Sequence, residues 1–255
     1  MRRLDWGLPS LILLAVAAFL AGLLNSIAGG GSFLSFPALV YTGVPPVPAN
    51  ASNTVALVPG SLASVIAYRR EFSRVAGLNL KLWYFVSLCG GLAGAVLLLR
   101  TPESVFRHIA PWLLLFATLL FAFGRQVSEL FRGKLHASEP LMMMILFPIA
   151  VYGGYFGGGM GIMLLAAFRL YGLSDIHVMN AMKTLIGGSL NTVAVVVFVL
   201  AREVYWRQSL TMMGFAILGG YLGAHYSRRV PQSVIRAIVI VTGFVMTTYF
   251  FLRVQ

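Results

Sequence analysis

The stretch "AGGGSFLSFPAL" (Ala28–Leu39) breaks a chain that is still deep in hydrophobic sequence, because the run from Leu8 to Ala28 is almost entirely apolar. Three consecutive glycines and a proline disfavour an unbroken helix. In hydrocarbon an unpaired backbone group costs several kcal/mol, so irregular backbone persists at membrane depth only inside protein or beside a wet cavity. Whether the short apolar stub that follows the glycines dips in and returns, or crosses, decides how many times the chain spans.

That the chain belongs in a bilayer follows from its composition. Of 255 residues, 59% are hydrophobic and 10% charged, against about 25% charged in a soluble domain. A span needs about 20 mostly apolar residues. Such runs recur at Leu8–Ala28, Val47–Tyr68, Leu82–Leu99, Val105–Phe123, Leu141–Phe156, His177–Ala201, Leu210–Tyr226 and Val234–Leu252. The fold class expected is therefore an all-α polytopic membrane protein; a β-barrel would alternate polar and apolar residues, and nothing here does. The first run follows Arg2 and Arg3 but opens onto more membrane sequence, so it is expected to be a retained helix rather than a signal peptide. The formal charge of +12 is scattered between apolar runs, where anchors and lipid contacts belong. Nucleic-acid binding would need a basic soluble face. A single cysteine, Cys89, leaves no internal disulfide and no thiol cluster.

The chain is written twice. "GGLAGAVLLLRTPESVFR" (Gly90–Arg107) matches "GGYLGAHYSRRVPQSVIR" (Gly219–Arg236) at an offset of 129. "GGGS" (Gly29–Ser32) matches "GGGM" (Gly157–Met160), and "NASNT" (Asn50–Thr54) matches "NAMKT" (Asn180–Thr184). The expected organisation is a first transmembrane repeat over 1–124, a polar cytoplasmic linker over 125–139 and a second repeat over 140–255. If both stubs are re-entrant, each repeat has four helices and the chain about eight spans. With the termini cytoplasmic, twelve of nineteen Lys/Arg then lie inside and five outside, which follows the positive-inside rule. If each stub crosses, there are five passes per half, the repeats are inverted and the charge bias weakens. The first arrangement is the expectation.

The glycines carry the functional reading. Gly29, Gly30, Gly31 and Ser32, with Gly157, Gly158 and Gly159, are either packing surfaces or exposed backbone at the start of a helix. A helix starting there would aim free N–H groups and its positive end at an anion. Lys183 lies within the apolar run His177–Ala201, and a lysine at that depth marks a functional site by default. Its counterpart is Asn53; Asn50 and Asn180 precede, and Thr54 and Thr184 follow. These form the expected substrate-binding set. Lys183 could instead snorkel or pair with Asp175. Asn25, Arg169, Asp175 and His177 are candidates for coupling or gating, although Arg169 also suits an interfacial anchor and Asn25 could merely satisfy carbonyls freed by the break. Asn191 and Ser189 read as helix-packing residues.

Seven acidic residues and no metal-ligand spacing make a membrane-embedded enzyme a poor fit. No cofactor or metal is expected. The sequence resembles the sulfite exporter TauE/SafE family, or TSUP permeases. The resemblance rests on "NSIAGGGSFLSFPALVYTGVPPVPANASNT" (Asn25–Thr54) and the degenerate copy "YFGGGMGIMLLAAFRLYGLSDIHVMNAMKT" (Tyr155–Thr184). It implies a bacterial inner-membrane permease for small anions such as sulfite or organosulfonates. The second copy departs from the pattern, with Leu165 in place of a proline and Arg169 within the stub. The expected function is a secondary transporter, an exporter by preference, that holds its anion mid-membrane between the repeats; an anion channel is the rival. The partners are the anion, the lipid and a coupling proton or sodium ion, and the sequence leaves a homodimer open.

Overall fold

In the computed structural model the described residues are 7–27, 29–71, 79–130, 137–226 and 232–254, and they are all-helical apart from turns. The helices are α1 (Leu8–Ile27), α2 (Ser32–Tyr41), α3 (Pro46–Ala67), α4 (Leu80–Arg100) and α5 (Glu103–Leu130), then α6 (Glu139–Tyr155), α7 (Met160–Tyr171), α8 (Ile176–Leu200), α9 (Trp206–Tyr226) and α10 (Gln232–Val254). Among the described residues, α1, α4, α8 and the Glu103–Gly124 part of α5 are long and apolar enough to cross a bilayer by length and composition. The helices expected from the apolar runs are all present, and the two stubs are α2 and α7.

Each half sends helices into the other. α1 packs along α9, as α6 packs along α4; α3 packs on α9, as α8 packs on α4. α2 lies against α10, as α7 lies against α5. Glycines make the close approaches. A Cβ on Gly94 would meet the Val151 carbonyl and, at 2.7 Å, the Tyr155 nitrogen; one on Gly220 would meet Gly60. Without a hydrophobic drive between helices in lipid, small residues let dispersion and backbone contacts hold the helices together.

The register of these contacts gives the direction of every helix. The start of α3 meets the start of α9, with the Tyr205 N–H donating to Ser52 Oγ at 2.8 Å, and the Ser64 hydroxyl near its end donates to the Gly220 carbonyl at 3.0 Å. Gly22 of α1 lies against Ala216 and Gly220 while Ser26, one turn on, lies against Gly223. Thus α1, α3 and α9 run the same way. Helices α4 and α6 run together in the opposite sense, since Gly90 meets Phe147 and Ala150 while Gly94 meets Val151 and Tyr155. Asn50, near the start of α3, donates to the carbonyl of Tyr155 at the end of α6. The face where α3 begins is called the front, and the opposite face the back.

Because α1 and α3 both run front to back, α2 must return. It does: Phe33 packs on Phe121 late in α5, and Phe36 packs on Phe106 early in α5, so α2 runs against α5. α7 runs with α5, as Gly159 meets Ala117 and Gly124 meets Ile162, and its end pairs with the start of α6 through the Ala137 N–H and the Leu170 carbonyl. The register therefore opposes the expectation of eight spans with the repeats in one orientation. Ten helices alternate in direction among the described residues, five in each half, and the halves are inverted. The physical reason is length: a stub of 10 residues rises about 15 Å, and with flanking loops it returns to the front without a full apolar span.

The tally of charges changes accordingly. Among the described residues, the back carries Arg69, Arg70, Lys81, Arg125, Arg169 and Arg236. The front carries Arg100, Arg107, Arg202, Arg207 and Arg253, and it is the face where α1 begins and α10 ends. The count that supported cytoplasmic termini depended on re-entrant stubs. With returning stubs that count no longer applies. The expected linker, 125–139, falls mostly outside the residues described in side-chain detail.

Candidate functional site

The two glycine breaks meet. A Cβ built on Gly29 would lie 2.8 Å from Gly161 Cα, and the starts of α2 and α7 both sit at the level of residues 117–121 of α5. The first break turns through Gly29 at φ +85°, and the second through Gly157 and Gly159, both at φ +79°. This left-handed backbone strains any residue with a Cβ. Two helix N-termini thus point toward each other inside the bundle. At α2, the Asn25 side-chain oxygen accepts the Gly31 N–H at 2.7 Å. At α7, the first-turn N–H of Gly161 has no acceptor among the described residues. The Tyr152 hydroxyl donates to the Gly158 carbonyl at 2.6 Å and fixes the second turn.

Beside this junction, toward the back, lies a cavity of about 50 Å³ lined by Asn25, Ser26, Gly29, Ser61, Ser64, Met160, Gly161, Lys183, Thr184, Gly187, Gly188 and Asn191. At 10–15 Å³ per water in this measure, it holds roughly four waters, or an ion of about that many heavy atoms. Lys183 is 3% exposed, and its ammonium donates to the Ser26 carbonyl at 3.4 Å. No carboxylate pairs with it among the described residues; Asp175 instead caps α8 by accepting the His177 N–H at 2.8 Å. Thr184 Oγ1 and Asn191 Oδ1 are buried with no hydrogen-bond partner. A buried cation without a counter-charge, beside orphaned polar atoms and a free helix N-terminus, has the chemistry of an anion site.

Of the residues singled out from sequence, Asn25, Gly29, Lys183 and Thr184 line this cavity. The others do not. Gly30 packs on Phe121 and Gly31 on Ala21; Gly158 packs on the Phe156 ring and Gly159 on Ala117. Ser32 and Asn53 bond each other at 3.2 Å, Asn50 holds the Tyr155 carbonyl, and the Thr54 hydroxyl returns to the Asn50 carbonyl. Asn180 is buried with an unpaired side-chain oxygen, one turn before Thr184 but outside the cavity lining. Arg169 reaches only the Ser174 carbonyl at the back end of α7, and Asp175 and His177 lie at the start of α8. Asn191, expected to be packing material, lines the cavity instead.

Sequence reasoning also missed Ser26, Ser61, Ser64, Met160, Gly161, Gly187 and Gly188. A signal for part of this set existed. Lys183, Gly187 and Asn191 recur at intervals of four, as do Thr184 and Gly188, which is one stripe of a helix. Ser61 is the aligned counterpart of Asn191 in the other half.

Comparison with known proteins finds relatives that run along nearly the whole chain. The chain is 29% identical to a "Probable membrane transporter protein" of Haemophilus influenzae, over 96% of this chain and 95% of that protein. It is 28% identical to "Probable membrane transporter protein YfcA" of Escherichia coli, over 90% of this chain and 85% of that one. A "Probable membrane transporter protein ORF9" of Sinorhizobium is 28% identical over 95% of this chain and 92% of its own length. The family model described as "Sulfite exporter TauE/SafE" matches residues 14–250. A match that runs through both halves and both breaks settles the ancestry: this multi-pass membrane chain belongs to the sulfite exporter TauE/SafE family.

Proposed function

We propose that the protein is a secondary transporter that exports a small anion, of the sulfite or short organosulfonate class, across a bacterial inner membrane. The observation that carries this reading is Lys183, buried without a carboxylate partner in a cavity where the two helix breaks meet. Its ammonium and the Gly161 N–H would bind the anion's oxygens, with Thr184 donating and the carboxamide of Asn191 turning its N–H₂ toward them. The volume suits an ion of about four heavy atoms.

Orientation and motion follow from the helix directions. With the back face cytoplasmic by the positive-inside rule, the cavity lies in the inner half and loads from the cytoplasm. An anion that leaves a cell with an inside-negative potential gains about 2.3 kcal/mol per charge per 100 mV, so export needs no coupling ion; a proton or sodium ion would serve import. The bodies that move are not the two repeats. Helices α1, α3 and α9 form one group and α4, α6 and α8 the other, each sealed by glycine contacts. The cavity lies between them, with Ser26, Ser61 and Ser64 on one side and Lys183, Thr184 and Asn191 on the other. Sliding of one group past the other would close the inner path and open an outer one.

The test is efflux of sulfite from proteoliposomes, under a set potential, by wild type and Lys183→Met. Wild type should show saturable efflux and the variant, folded, should lose it by at least about 100-fold, the scale of a lost charge-assisted contact. Equal efflux by both would remove the proposal.

A further inference from the structure

The side chain of Met160 lies along the cavity wall in a slot made by two glycines. A Cβ added to Gly153 would collide with its sulfur, and one added to Gly187 would lie 3.0 Å from its terminal methyl. Met160 is 7% exposed and is itself a lining residue. The aligned positions in the other half differ in a telling way. Asn25 stands at the place of Gly153, Leu57 at the place of Gly187, and Ser32 at the place of Met160. Where one half carries Asn25 and Leu57, the half that carries Lys183 has two glycines, and the Met160 thioether lies against both. Methionine has three rotatable bonds and fills irregular space without holding it rigidly.

We infer that Met160 is the specificity-determining residue of the anion site: its side chain occupies the slot between Gly153 and Gly187 that would otherwise receive an organic tail on the anion. This rests on the reading of the cavity as the transport site. With Met160 in place the cavity admits only an ion of about four heavy atoms. The slot is apolar, being lined by glycine backbone and reached by Leu190, so what it would take is an alkyl chain and not a second charge. Longer alkanesulfonates must displace the thioether, and their affinity falls for that reason.

The experiment compares binding of sulfite, methanesulfonate and butanesulfonate to the purified protein by thermal shift and titration calorimetry. Wild type should bind the first two and butanesulfonate at least ten-fold more weakly. In Met160→Ala, or Met160→Ser where alanine unfolds the protein, the ratio of butanesulfonate to sulfite affinity should rise at least ten-fold. Adding Gly187→Leu to Met160→Ala, which supplies the leucine that stands at the aligned position Leu57, should restore the exclusion. An unchanged ratio of butanesulfonate to sulfite in the Met160 variants overturns the inference while leaving the transport site intact. No binding of any of the three ions, by wild type or variant, overturns both.

Discussion

Lys183 is the residue on which the proposed chemistry depends. Buried charge is costly in lipid and persists where a partner or a ligand compensates it; here the partner within the protein is a single carbonyl at 3.4 Å. Thr184 shares its wall with an unused hydroxyl. Thr184→Val keeps the shape and removes the donor, so the sulfite dissociation constant should rise about 10- to 100-fold, one hydrogen bond to a charged group being worth about 1.5–3 kcal/mol; calorimetry would measure it. The lysine was legible because charge in an apolar run is conspicuous. The residues around it were not, since Ser61, Ser64 and Gly188 are ordinary membrane-helix residues until a fold brings α3 and α8 together. The stripe through Gly187 and Asn191 lines the cavity with Lys183, while Asn180 lies outside that lining.

At the scale of elements, the eight long helices could be read from apolar runs and punctuation, while the direction of the stubs could not. A stretch of 10 apolar residues has no intrinsic sense of travel; Phe33 and Phe36 acquire one only by meeting Phe121 and Phe106. The glycine ladders, by contrast, were visible as "GGLAGA" and "GGYLGA" (Gly90–Ala95, Gly219–Ala224), and their partners were not. Gly220→Val should force α9 from α3 and cost about 1–3 kcal/mol, the scale of overpacking, read as a lower melting temperature in detergent. If the helix groups move as proposed, paired cysteines should separate them, in a background with Cys89→Ser. Ser52→Cys with Ser209→Cys, within one group and already in hydrogen-bond contact, should cross-link regardless of substrate. Ser61→Cys with Gly188→Cys, between groups and already near contact, should cross-link at a rate that sulfite changes. Equal rates with and without sulfite would argue against motion at that boundary.

For the whole molecule the consequence is orientation. In the proposed arrangement eleven Lys and Arg of the sequence would fall on the cytoplasmic side against seven outside, so both termini would lie outside the cell. Alkaline phosphatase fused after Gln255 should therefore be active, and the same enzyme inserted after Lys134 inactive. Green fluorescent protein should show the reverse pattern. The opposite result would turn the molecule over and make the cavity face outward.

The crossed pairing of helices also bears on how such a chain is made. While the ribosome is still translating residue 130, α1 and α4 are in the bilayer with their glycine ladders bare, since α9 and α6 do not yet exist. Assembly must wait for the later half, so the early half is an orphan exposed to quality-control proteases. Two fragments cut within 131–136 and synthesised together should rescue one another, whereas either alone should be degraded.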